Sequence, residues 1–138
     1  MYEILSHTAD EKFRAEGKSL EEAFSRSVEA FAEIVGADPD AGEYRHSLNI
    51  ESEKLESLLF DFLDRLIFLQ ETEGVVVCHA EDIEIEEMQS GHSLEATVWA
   101  DPITEGASYQ DVKAPTYNEM KVDYEKGEGW IIEAVLDI

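Results

Sequence analysis

Disulfide chemistry is closed to this chain, because its 138 residues include one cysteine, Cys78. That residue lies in the apolar run 74–80, where a small buried hydrophobe is expected rather than a reactive thiol. One unpaired cysteine suits a reducing, intracellular compartment, and a cytoplasmic protein is expected. Proline is also scarce: Pro39, Pro102 and Pro115 are scattered, and no Pro/Gly/Ser-rich linker divides the chain. One domain over residues 1–138 follows, with 43% hydrophobic residues to drive its folding. No apolar run reaches the length that spans a bilayer, and residues 1–7 lack the basic start and apolar stretch of a secretory leader.

Positive charge is the scarcest commodity. Ten Lys and Arg stand against 33 Asp and Glu, a formal net charge of −23. Residues 1–70 carry seven basic and sixteen acidic side chains, whereas residues 71–138 carry three and seventeen. A surface of that sign repels phosphate backbones, so no direct binding of nucleic acid is expected. Any role in RNA metabolism must then run through a protein partner. Solvation alone, in a salty cytoplasm for example, also accounts for the acidity.

Periodicity predicts two helices and a set of strands. Residues 2–6 and 12–16 read as strands, the second ended by Gly17. Ser19 with Glu22 forms a capping box, and Leu20, Phe24, Val28, Phe31 and Val35 recur at helical spacing up to Gly36. Tyr44, His46, Leu48 and Ile50 form one face of a strand. Ser52 is the expected cap of a second helix carrying Leu55, Leu58, Leu59, Phe62, Leu66 and Ile67, the more apolar helix and the one expected deepest. From Gly74 the period becomes two, with strands expected over 75–80, 82–88, 93–100, 111–122 and 129–138. Early helices and late strands predict an α+β fold, a largely antiparallel sheet or sheets packed with two helices.

Recognisable catalytic sets are missing. The chain has no Gly-rich phosphate loop, nucleophile elbow, Cys-x-x-Cys or His-Glu-x-x-His. Its histidines, His7, His46, His79 and His92, are dispersed, which does not indicate zinc. Oxygen ligands remain at the chain's two ends. Asp10 sits where the first two strand-like runs meet. Asp137 precedes Ile138, whose α-carboxylate adds a second oxygen group if the chain ends there naturally. Close carboxylates repel unless a cation joins them, and hard divalent ions with oxygen shells suit that role. A turn or capping aspartate at 10 and a solvated terminus are the plainer alternatives. Lys113 is one of three basic residues beyond position 70. It could pair with Asp111 or meet a phosphate or carboxylate outside the chain. For Tyr117 and Trp130 a place in the core is expected.

Four segments resemble the archease family in the right order and over the whole length. They are HTAD at 7–10, the helix start GKSLEEAF at 17–24, DVKAPTY at 111–117 and the ending Asp137-Ile138. The chain departs from the family at Pro115, where a second aliphatic residue is usual, and at Asn118, where a histidine is frequent. Pro115 removes an N–H and so points to an edge or bulged strand.

The resemblance implies an archease-like domain without catalysis of its own, acting as a protein cofactor of a tRNA-splicing RNA ligase. That ligase joins 3′-phosphate or 2′,3′-cyclic phosphate ends to 5′-hydroxyl ends. Archeases promote its guanylylation and multiple turnover and widen its nucleotide use. It further implies a divalent metal ion, Ca2+ first with Mg2+ or Mn2+ as alternatives, held by Asp10, Asp137 and the carboxylate of Ile138. Lys113, with His7 and Asp111 nearby, would face the partner. A small metal-dependent phosphoester hydrolase and a chaperone-like module are the competing readings, the first needing a base for which His7 is the nearby candidate.

Overall fold

The computed structural model describes residues 1–6 and 10–138. Seven strands and two helices follow one another as β1 (Tyr2–Ser6), β2 (Asp10–Gly17), α1 (Leu20–Val35), β3 (Tyr44–Ser52), α2 (Leu55–Glu73), β4 (Val75–Met88), β5 (Gly91–Pro102), β6 (Ala114–Glu125) and β7 (Gly129–Asp137). They form two antiparallel sheets, one ordered β1-β2-β7-β6 and the other β3-β5-β4. The α+β architecture is as expected from the switch in hydrophobic period.

Both helices touch both sheets and so join them. α1 packs on β1, β2 and β7 of the first sheet and on β4 of the second, while α2 packs on β6 and on β3, β4 and β5. The rings of Phe24 and Phe62 meet between the helices, their centroids 5.9 Å apart. This placement corrects the expectation that α2 lies deepest. Eight of the 16 residues of α1 are buried against seven of 19 in α2, because α1 packs more extensively, above all on β4 and β2. Apolar content alone does not set depth; the extent of packing on neighbouring strands does.

The start of α1 follows its sequence signal. Ser19 Oγ accepts a hydrogen bond from the Glu22 N–H at 3.0 Å, and Gly36 takes the left-handed conformation (φ 98°) that ends the helix. The start of α2 does not. Ser52 remains in β3, the N-cap is Lys54, and Ser57 reaches back so that its Oγ accepts from the Lys54 N–H at 3.1 Å. Ser52 still takes part, through a hydroxyl–hydroxyl contact with Ser57.

Residues 75–80 and 82–88 are not separate strands but one, β4, broken in register between Val77 and His79 and between Glu81 and Glu84. Each bulge shifts the inward and outward phase, which makes one strand read as two. Cys78 sits at the first bulge, fully buried. Burial, ahead of the nearby Asp101 carboxylate, pushes its thiol up to about 12, so it stays a protonated hydrophobe.

At the β4–β5 turn, Gly91 has φ +146°, and a Cβ there would lie 2.4 Å from the Ser52 carbonyl oxygen and 2.9 Å from Glu53 Cα. These are backbone atoms that cannot swing aside. Gly91→Ala is therefore expected to destabilise by about 2–3 kcal/mol, the cost of forced overpacking, read as a lower urea midpoint. An unchanged midpoint would show that the turn shifts freely.

Candidate functional site

The first sheet has one face on the helices and one facing away. Phe13 and Ala15 of β2 are fully buried, so Asp10, Lys12, Arg14 and Glu16 alternate onto the outer face. Antiparallel register does the rest. Asp10 and Asp137 are direct partners across β2 and β7, and Ala114 of β6 is the partner of Asp137 on its other side. Residues 127 apart in sequence thus occupy one rung, with Cα atoms roughly 4.5–5.5 Å apart. Asp10 is half-buried and Asp137 exposed. Like charges directly opposite each other repel, which makes this rung a place where a cation stabilises.

Lys113 lies beside the rung. Its N–H donates to the Asp137 carbonyl oxygen at 2.8 Å. The segment leading to it is held at its other end by the Gln110 N–H, which donates to the Val35 carbonyl at 2.9 Å, and in its middle by Val112, 3% exposed in the core. Asp111 and Lys113 flank this buried residue and are both exposed. Among the described residues the Lys113 ammonium forms no ion pair, so pairing with Asp111, one of the two alternatives, is not the arrangement adopted. His7 lies outside the described residues. Ile138 is half-buried and packs against the core.

The next rungs are an ion-pair ladder. Lys12 Nζ lies 3.2 Å from Glu133 Oε1 and 3.3 Å from Glu119 Oε1, and Arg14 meets Glu16 at 3.1 Å and Glu133 at 3.7 Å. Hydrogen bonding to Glu133 first, and then to Glu119, holds the Lys12 ammonium above its ordinary pKa. Lys12 is on β2 and Glu119 belongs to β6, so this contact reaches across the intervening β7. It is made possible by an excursion of β6 between Thr116 and Lys121, where Glu119 takes φ 59°. The edge position and irregular register agree with what Pro115 implied.

Tyr117, on that excursion, overturns its expected place in the core. It is 55% exposed and stacks on Phe60 of α2, ring centroids 4.2 Å apart and planes 6° from parallel. The strand leaves its regular path at this residue, so alternation no longer predicts which way the ring points. Trp130 does pack against the core, half-buried.

Two residues at this end escaped the sequence reading. Glu119 needed the excursion to be seen. Glu11, paired with Leu136, encloses one carboxylate oxygen that has no hydrogen-bond partner among the described residues. An acidic residue alternating onto the apolar face of β2 was the available signal.

Among the described residues no three His, Cys, Asp or Glu side chains converge into a metal-holding group, and no helix is long and apolar enough to cross a membrane. The rung itself brings together two acidic residues, Asp10 and Asp137.

Comparison with known proteins agrees with the architecture. The family model described as Archease protein family (MTH1598/TM1083) matches residues 2–138. Protein archease of Methanosarcina mazei is 35% identical over 140 residues, spanning 99% of this chain and 95% of that protein. Protein archease of Pyrococcus abyssi is 33% identical, with 99% and 98% covered. The solution structure of Methanobacterium thermoautotrophicum protein 1598 superposes with a TM-score of 0.82 at 31% identity, covering 99% of this chain and 98% of that one. A Thermotoga maritima crystal structure, described as an archease and possible chaperone, shares the fold with a TM-score of 0.64 at 21% identity, covering 97% and 94%. None of these names denotes a catalytic activity. With the family model spanning residues 2–138 and relatives above 30% identity along nearly the whole chain, this protein belongs to the archease family.

Proposed function

We propose that this protein is the non-catalytic cofactor of a tRNA-splicing RNA ligase, promoting the ligase's guanylylation and multiple turnover through an acidic, cation-bearing end of its first sheet. The observation that carries the reading is the rung itself: Asp10 opposite Asp137, with Lys113 bonded through its backbone to the same Asp137. The donors are all oxygen, which fits a hard divalent cation such as Ca2+ better than zinc. Asp10 and Asp137 would hold it, joined by the α-carboxylate of Ile138 where that residue ends the chain. When bound, the cation neutralises the rung and presents a Lewis-acidic surface to the partner. The chain's own residues keep the two carboxylates in register and hold Lys113 at the rim, while the exposed Asp111 offers an acceptor beside it. Tests for the partner are direct: guanylylation and RNA joining by the ligase are measured with and without this protein under multiple turnover. Stimulation without any hydrolysis of phosphoesters by the protein alone is the expected result. Equal rescue of unrelated client proteins would favour the chaperone-like reading instead, which the description of the Thermotoga relative raises.

Cation binding is tested without the ligase. Millimolar Ca2+ is expected to raise the melting temperature of the wild-type protein, since a ligand at about a hundred times its Kd adds about 2.7 kcal/mol. Asp137→Asn and Asp10→Asn should each remove most of that rise. An identical rise in the variants would place the cation elsewhere.

A further inference from the structure

Four strands lie at sheet edges, β1 and β6 in one sheet and β3 and β4 in the other. An unprotected edge is an open row of backbone donors and acceptors, so most edges carry a blunting device. β6 has Pro115 and its four-residue excursion; β4 has two register breaks and Asp82 at φ 52°; β1 is five residues long. β3 has none of these. It pairs with β5 over nine residues, from Tyr44 opposite Ala100 to Ser52 opposite His92, without one shift.

A groove lies on each side of β3. One, of about 480 Å3, runs between β3 and α2 and holds Phe68, 58% exposed, beside Glu51, Asp61 and Asp64. The other, of about 470 Å3, opens on the outer face of the sheet and is lined by Asp82, Glu84 and Glu95. Glu84 and Glu95 are direct cross-strand partners, two like charges with repulsion to relieve. Across the two grooves, six carboxylates face a single cation, Arg65.

We infer that the free edge of β3 is a docking site for an extended, basic segment of a partner protein, which adds to the second sheet as a fourth strand. Backbone hydrogen bonds to β3 supply the register. Apolar side chains on one face of the added strand rest on Phe68, and lysines or arginines on the other face reach over β3 toward Glu95 of the next strand, β5. The alternation a strand imposes matches the two grooves, one holding an exposed phenylalanine and one mainly polar. Net charge selects the occupant, because −23 attracts a cationic segment and repels a second copy of this chain. This site is distinct from the Asp10–Asp137 rung and stands or falls without it.

The probe is a synthetic peptide of about ten residues alternating lysine with valine, long enough to pair with one strand. It is titrated into isotope-labelled full-length protein while backbone amides are followed by NMR. Saturable shifts confined to β3 and the Phe68 groove are expected. Raising salt from roughly 0.02 to 0.5 M should weaken binding about tenfold or more. Phe68→Ser should weaken it about tenfold without unfolding an exposed position. A glutamate–valine peptide should not bind, and a lysine–valine peptide N-methylated at alternate residues should bind at least about tenfold less well, having lost its ladder bonds. Shifts spread over the acidic surface, equal binding of the N-methylated peptide, or concentration-dependent self-association through β3 would each overturn the proposal.

Discussion

Lys113→Ala is expected to lower stimulation of the RNA ligase by about tenfold to a hundredfold while leaving the melting temperature of the protein almost unchanged. The side chain is exposed and forms no ion pair among the described residues, so its removal breaks none of the ion pairs described there. What fixes the position is the backbone: the N–H at 113 donates to Asp137, and an alanine keeps that bond. Val112 keeps the segment anchored as well. On the proposed reading, this exposed ammonium, one of three basic residues beyond position 70, meets an external partner. A charge-assisted contact to a phosphate or carboxylate there is worth about 1.5–3 kcal/mol, which sets the size of the effect. Melting and ligase stimulation are measured on the same preparation. A lowered melting temperature with normal stimulation per folded molecule would assign Lys113 to structure. A Lys113→Arg variant that restores stimulation would show that charge suffices; failure of arginine would point to the compact ammonium.

Phe62→Ala has the largest expected effect on stability. Phe62 is fully buried on α2 and meets Phe24 of α1 in a tilted aromatic contact, so its ring helps hold together the two helices that join the sheets. Deleting a buried phenylalanine costs about 3–5 kcal/mol, the transfer of the ring plus the cavity left behind. Against a total stability of about 5–15 kcal/mol, that loss takes a large share. A fall in melting temperature of about 10–15 °C is expected, with a reduced urea midpoint. Phe62→Leu, which leaves less space, should cost less than half as much. A loss below about 1 kcal/mol for the alanine variant would mean the helices close over the gap and are less rigidly joined than their packing indicates.

The two effects separate cleanly because they lie on opposite sides of the first sheet. Its inner face carries Phe13, Ala15, Ile132, Ala134 and Leu136 into the core. Its outer face carries the rung and the ion-pair ladder. Glu133 forms ion pairs with both Lys12 and Arg14 there, tying β2 to β7 on the rungs next to Asp10 and Asp137. The elevated pKa of Lys12 gives this ladder a direction in pH. A lysine whose folded pKa is raised contributes stability that is complete below its unfolded value near 10.5 and lost as pH climbs through the higher folded value. On the lysine's side the ladder is therefore intact at neutral pH and is lost in strong alkali.

Much of this protein is written locally. The change of hydrophobic period from helical to alternating, with caps at Ser19 and Gly36, yields the elements and the α+β class, because those signals act within a few residues of the chain. Pro115 announced an irregular edge, since a missing N–H is a local property too. Asp10 and Asp137–Ile138 are likewise legible as two acidic strand ends, and the likeness of four short segments to one family implies that they serve one site. Other features exist only once distant segments meet. That Asp10 and Asp137 share one rung is a matter of register between residues 127 apart in sequence, which no local pattern encodes. The depth of α1, the exposure of Tyr117, the reach of Glu119 over β7 and the continuity of β4 through its bulges were each misread or unseen. In each case the deciding quantity was how extensively an element packs on its neighbours, or where a ladder slips by a residue. Those quantities depend on the packing of partners, so sequence sets the inventory of charges and apolar faces, and tertiary structure chooses which of them meet.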